Sequence, residues 1–359
     1  MSDNRVNRRM FIQTSAAAVG VAALGGNFVA SAADEPAIRK TPSFNPDMEY
    51  RRLGATGLWV SAICLGGHWK RVNEVTGHAK IPGVGIPKDA ADAEVLFKNR
   101  HDVVTRCLEV GINYVDACTE AEILAYGKAL QGRRDKMYMS FDMWPRCPRS
   151  PKYCKAEELL TLLETGMKAA KIDYVDVWRL VCSTPGSHSE ADEAEFIKAF
   201  EKAKKDGKAR FTGASSHGRP WLKRLAETYP QHFQVLLFPY TAATKELPQD
   251  SLFEAVRKHD IGTFGIKPFA GGSLFSGVKN PKECSERARL TLRYILGNPA
   301  ITAPIPGLAS VEEVDNAAEA VKERRRLSQS ELRKLDGINQ QMWAQLPHDY
   351  QWLKDWQYV

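Results

Sequence analysis

Five polar side chains stand where short apolar runs end: His68, Asp116, Asp142, His217 and Lys267. Two carboxylates, two imidazoles and an amine can ligate a metal, act as acid and base on a sugar, or neutralise one another. Asp116, Asp142, His217 and Lys267 form the candidate catalytic group. Carboxylates on neighbouring strands repel, and one stays protonated unless a cation intervenes, so Lys267 or a metal ion is the expected compensator. His217 is then the group suited to moving protons near neutral pH. The spacing specifies no particular metal. The seven cysteines, Cys64, Cys107, Cys118, Cys147, Cys154, Cys182 and Cys284, include no C-x-x-C pair, so neither a zinc ribbon nor an iron–sulfur cluster is expected. Cys147 and Cys154 share a Pro-rich loop and could bridge in an oxidising compartment.

The elements that must position these groups alternate regularly. Strand-like runs lie at 62–66, 113–117, 136–142, 174–181, 209–215, 233–239, 262–268 and 301–306. Amphipathic helical runs lie at 93–110, 122–130, 155–170, 191–206, 220–228, 249–258, 282–296 and 311–322. Eight βα units over roughly 280 residues predict an α/β protein, a (β/α)8 TIM barrel. An open doubly wound sheet is disfavoured by the count and by the lack of G-x-G-x-x-G after the first strand. The five polar residues then gather at the C-terminal end of the barrel, and Asp116, Asp142, His217 and Lys267 are expected to line one pocket there. The long loop 67–91 reads as a lid, and the tail 327–359, with Trp343, Trp352, Trp356, Tyr350 and Tyr358, needs a barrel or a second subunit to cover.

The flanks set the boundaries. Residues 1–33 read as a signal segment: Arg8 and Arg9 precede Met10-Phe11-Ile12, an Ala/Gly-rich apolar stretch follows, and Ala30-Ser31-Ala32 supplies a cleavage site. The order resembles a twin-arginine signal, which implies periplasmic delivery of an already folded protein. Residues 34–47 read as a linker, 48–326 as the barrel and 327–359 as a helical, aromatic-rich extension. Hydrophobic residues at 43% and charged residues at 26% suit a globular chain. The net charge of +7 falls to +1 without the leader arginines Arg5, Arg8 and Arg9 and the run Arg324–Arg326. No basic stripe remains for nucleic acid. No stable membrane span is expected after signal cleavage, and a homo-oligomer through the aromatic tail is possible.

Five segments in barrel order carry a family resemblance: MEYRRLGATGLWVS at 48–61, GINYVD at 111–116, GKARFTGAS at 207–215, KPFAGG at 267–272, and Ile305-Pro306-Gly307 with Ser310, Glu313 and Asn316. Together they resemble the aldo/keto reductases. The resemblance implies an N-terminal β-hairpin on the barrel and carbonyl reduction with NADP(H), in which a Tyr donates the proton, a Lys and an Asp tune it, and a His orients the substrate. Asp116 matches the Asp. Ala121 stands at the Tyr position, Asp142 at the Lys and Val181 at the His. Tyr126, ten residues past Asp116, falls within the next helix. Of the cofactor positions, Ser215, Gly271, Gly272, Ser273, Leu274, Gly307, Ser310, Glu313 and Asn316 match, whereas Ser216, Leu237 and Ile266 replace groups that hold the nicotinamide.

Three functions follow as alternatives. The first is an exported NADP(H)-linked oxidoreductase with unconventional catalytic residues. The second is a non-redox barrel enzyme, a lyase or isomerase on a sugar-like small molecule. The third is a catalytically silent binding protein.

Overall fold

The computed structural model describes residues 32–183, 186–323 and 326–359. The expected signal segment lies almost wholly outside them. Ten strands form two sheets. The first is a hairpin of β1 (Tyr50–Arg52) and β2 (Trp59–Ser61), with Tyr50 opposite Ser61. The second runs in parallel and in chain order: β3 (Leu65–Gly66), β4 (Tyr114–Thr119), β5 (Tyr138–Trp144), β6 (Val175–Val181), β7 (Ala209–Ser215), β8 (Val235–Pro239), β9 (Gly262–Ile266) and β10 (Ala303–Ile305).

The barrel closes between β3 and the end of β10. Gly66 bridges Gly307, and the Cys64 and Gly66 amides donate to the Pro304 and Pro306 carbonyls at 3.1 and 2.8 Å. A Cβ on Gly66 would lie 2.9 Å from the Pro306 carbonyl oxygen, so the seam requires glycine. Each expected strand is present; β3 and β10 are short because only two or three residues at the seam keep full ladder geometry.

Leu53, Leu58 and Val60 of the hairpin join Tyr114, Val177, Val235, Leu237 and Phe264 in the barrel's interior core. The second core lies between sheet and helices. The segment read as a linker is docked on the barrel: Ile38 is buried, and the Thr41 hydroxyl donates to the Trp59 carbonyl at 2.6 Å.

Among the described residues, helices alternate with strands as expected: α1 (Glu35–Ile38), α2 (Val72–Thr76), α3 (Ala90–Val110), α4 (Glu120–Ala129), α5 (Ala156–Ala170), α6 (Glu190–Lys205), α7 (Arg219–Thr228), α8 (Leu252–Lys258), α9 (Pro281–Leu296), α10 (Val311–Lys322) and α11 (Gln329–Ala344). Their starts are written in side chains: Asp89, Thr119, Ser189, Ser251, Ser310 and Ser328 each cap a helix by accepting a backbone N–H.

The loop after β3 contains α2 and is pinned by buried Trp69, which packs edge-on against Tyr126 and lies under the Arg100 guanidinium. The tail continues from α11 into a 3-10 helix, His348–Trp356. It covers its own barrel: Leu335, Ile338, Met342, Leu353 and Trp356 are buried, and Val359 exchanges backbone hydrogen bonds with Lys245 and Leu247. No described helix is long and apolar enough to cross a membrane.

Candidate active site

The sequence-derived residues sort into two groups at the C-terminal end of the barrel. The first occupies β4, β5 and β6. Asp116 on β4 accepts from Arg179 on β6 through both oxygens, Nε at 2.9 Å and Nη2 at 2.7 Å, and Nη2 also reaches the Ala117 carbonyl at 3.0 Å. Both residues are buried. Burial acts to lower the Arg179 pKa, but Asp116 outweighs it and holds the guanidinium charged. Asp142 on β5 accepts the Val181 amide at 2.5 Å. Burial pushes its carboxyl up to about 6, against the opposing pull of Arg179 and the Val181 and Met143 amides.

The compensating cation is therefore Arg179, not Lys267. Among the described residues Lys267 makes no ion pair; its ammonium lies over the rings of Tyr350 and Trp352, 5.6 and 5.8 Å from their centroids. Lys267 has a left-handed backbone, φ 57°, immediately after β9.

The second group lies under the tail. Trp352 stacks on His217, centroids 3.8 Å apart and planes 14° from parallel, and Trp356 Nε1 donates to the His217 carbonyl at 3.2 Å. Burial, then Lys267 and Arg149, push the His217 imidazole down to about 2. It stays neutral at physiological pH, which removes it from the proton-moving role expected near neutrality. Asp116 and Asp142 thus lie around Arg179, and His217 and Lys267 around the tail's aromatic rings.

Two further functional candidates stand outside the four catalytic residues expected from the sequence. Arg179 sits inside an apolar strand, VDVWRLV, and an arginine there requires a buried partner. Glu122, fully buried in the first turn of α4, accepts from the His68 amide (2.7 Å), His68 Nδ1 (2.7 Å) and the Cys118 amide (2.6 Å). Burial acts to raise its pKa, and these donors outweigh it and hold the carboxyl below its ordinary value. The pattern Thr119-x-x-Glu122 resembles a capping box, but only Thr119 caps, while the glutamate turns to His68. Tyr126 is no substitute acid: it is buried, its hydroxyl donates to the Gly66 carbonyl at 2.6 Å, and burial raises its pKa.

A cleft of about 250 Å³ opens beside this rim, lined by Val84, Gly85, Thr119, Ala121, Trp144 and Arg146 among others. The His68 ring is 6.3 Å from that of Trp144.

The residues matched by resemblance to a dinucleotide site fall in two places, the expected phosphate end and the expected nicotinamide end. At the expected phosphate end, Gly271 and Gly272 have φ of 66° and 104°, space around Gly272 is open, and the buried Ser273 hydroxyl has no hydrogen-bond partner among the described residues. An exposed glycine turn beside an unsatisfied hydroxyl fits a phosphate. Leu274 is buried beneath it, and Gly307 abuts the Gly67 carbonyl. Beyond lies α10. Ser310 caps it, Glu313 accepts the Ala309 amide at 2.7 Å, and Asn316 holds Arg289 at 2.9 Å. At the nicotinamide end, Ser215 closes β7, and residues 350–352 span from Gly271, where the Tyr350 ring packs, to His217.

One cluster of metal-ligating type lies apart, Cys154, His188 and Asp192, with ligand atoms within 4.8 Å of one another. His188 Nε2 accepts the Ser183 amide at 3.1 Å, so a metal on Nδ1 would leave the ring without a proton. All seven cysteines are free, and Cys154 Sγ points to the Pro148 and Ser150 carbonyls, so the possible Cys147–Cys154 bridge is not formed.

The aldo/keto reductase family model matches residues 88–288, more than half of the chain. The chain belongs to the aldo/keto reductase family. An uncharacterized oxidoreductase of Bacillus subtilis, YrpG, is 24% identical, the match covering 85% of this chain and all of that one. L-galactose dehydrogenase of Arabidopsis thaliana is 24% identical over 77% of this chain and 89% of its own. Among solved structures, the holo form of aldo-keto reductase AKR11C1 from Bacillus halodurans superposes with TM-score 0.60 and 20% identity, covering 84% of this chain and 99% of its own. An aldo/keto reductase from Klebsiella pneumoniae in complex with NADP and acetate gives 0.59 and 19%, covering 79% and 93%. In this family member the tail roofs one side of the barrel's mouth.

Proposed function

We propose that this aldo/keto reductase is an exported NADP(H)-linked oxidoreductase whose proton chemistry does not use the family's tyrosine. The observation that carries the cofactor assignment is the left-handed Gly271–Gly272 turn, open at Gly272, with the Ser273 hydroxyl unsatisfied among the described residues. NADP-bound relatives of the same fold support it. Gly271, Gly272 and Ser273 would hold the phosphates, with Ser310, Glu313 and Asn316 toward the adenosine and Ser215 toward the nicotinamide. A bound dinucleotide would supply hydride chemistry at the substrate carbon.

The remaining chemistry belongs to the chain. The family's Lys–Asp ion pair is replaced by Arg179–Asp116, the cation now coming from β6 because Asp142 occupies the lysine position. With Ala121 at the tyrosine position the rim there is open, and the cleft occupies that side. A panel of aldehydes, ketones and hydroxy compounds assayed with NADPH or NADP+ tests the reading. Slow but cofactor-dependent turnover is expected; conventional carbonyl reduction near the enzyme median of ~10 s⁻¹ at neutral pH would contradict the substituted mechanism.

One observation favours a second reading, a non-redox enzyme on a sugar-like substrate. Tyr350 and Trp352 lie across the end where a nicotinamide would sit, and chemistry without a dinucleotide would need no room there.

A further inference from the structure

We propose that His68, oriented by Glu122, is the catalytic base of this oxidoreductase, taking the proton from a substrate hydroxyl seated in the Ala121–Trp144 cleft. The inference rests on the oxidoreductase reading above.

The geometry is that of a carboxylate–imidazole dyad. Glu122 is fully buried and takes three N–H donors, two from His68 and one from Cys118. A carboxylate so supplied is ionised and can only accept. His68 Nδ1 therefore carries the proton shared with Glu122, and Nε2 is the ring nitrogen left to meet a substrate. The ring is one-third exposed while its partner is fully buried, so one edge is anchored and the ring still meets solvent.

Two further features separate this dyad from an ordinary surface ion pair. His68 holds a left-handed backbone, φ 55°, a costly conformation for a non-glycine residue, and its own amide is tied to the same Glu122 oxygen as its ring. The ring also neighbours the cleft: Trp144, whose ring lies 6.3 Å from that of His68, lines it together with Thr119 and Ala121, whose segment leads directly into Glu122. Neither Asp142, in contact with buried amides, nor His217, under Trp352, has comparable access.

The step balances. The substrate O–H bond breaks, with its proton passing to His68 Nε2. A bound oxidised dinucleotide would supply the acceptor for the hydride of the adjacent C–H bond, so that the substrate would leave as the carbonyl. Imidazolium then returns the proton to solvent. Glu122 is the positioning residue: it fixes the tautomer and balances the charge gained by the ring.

Nitrogen NMR of the His68 ring in the free protein, with kinetics of His68→Gln and Glu122→Gln, tests this. The wild-type ring is expected as the Nδ1–H tautomer with Nε2 unprotonated, and Glu122→Gln should mix the tautomers. His68→Gln should lower kcat about 100-fold or more and abolish the acidic limb of the pH–rate profile, with dinucleotide affinity within about twofold of wild type. An Nε2–H tautomer in the wild type, or unchanged kcat and pH profile in His68→Gln, would overturn the proposal. If His68→Gln does not fold, the wild-type tautomer decides. Absence of dinucleotide binding by the wild type is a different failure: it removes the oxidoreductase reading and this proposal with it.

Discussion

Arg179 reaches from β6 to grip Asp116 on β4, its Nε and Nη2 lying 2.9 and 2.7 Å from the two carboxylate oxygens. Both charges are buried, so neither tolerates loss of the other. Arg179→Met should destabilise the protein by about 3–5 kcal/mol, because it strands a buried carboxylate. Adding Asp116→Asn should restore part of that loss, as followed by denaturant unfolding. Additive costs in the double variant would mean that the pair is not coupled.

Stability should respond to pH through a buried carboxyl and a half-buried imidazole of opposite sign. His217 is pushed down to about 2 from an ordinary 6.5, so as pH falls the unfolded chain takes up this proton first. Its contribution is full above about 6.5 and is lost below. Asp142 is pushed up to about 6 from 3.8, so its contribution is full below about pH 4 and is lost as pH rises through about 6. The Asp142 effect is on the order of 3 kcal/mol. Melting temperatures across this range should therefore change little in the wild type. His217→Gln should reveal a fall in stability with rising pH, and Asp142→Asn a fall with falling pH. Parallel curves for all three proteins would refute both assignments.

The barrel was legible because its strands and helices are short, periodic and separated by capping residues such as Asp89, Ser189 and Ser310. The seam was less so, since Gly66 and Gly307 meet across most of the chain. Asp116 and Asp142 could be placed from strand ends, but their cation could not be identified. Lys267 looked available only because its aromatic partners, Tyr350 and Trp352, come from a tail whose path no local pattern encodes. Glu122 was hidden for the same reason: His68 precedes it by 54 positions, and only the closed barrel brings them together. An arginine within VDVWRLV was the one available hint of Arg179.

The roof formed by Trp352 on His217 and Tyr350 on Gly271 should oppose dinucleotide entry. Trp352→Ala removes a stacked pair worth about 0.5–1.5 kcal/mol. It should lower the melting temperature slightly and tighten NADPH binding several-fold, because less of the protein is then closed. Weaker binding in Trp352→Ala would show instead that the indole packs on the bound cofactor.

Export is tested separately in cells. Replacing Arg8 and Arg9 with Lys should leave precursor in the cytoplasm, visible by immunoblot as the larger, unprocessed band. Undiminished periplasmic delivery would remove the twin-arginine reading.

Calorimetric titration of the folded protein with NADPH tests the central claim most directly. Saturable binding at one site per chain, tightened by Trp352→Ala, is the predicted result. No heat of binding in either the wild type or Trp352→Ala would contradict the account and leave the barrel to a chemistry without nicotinamide.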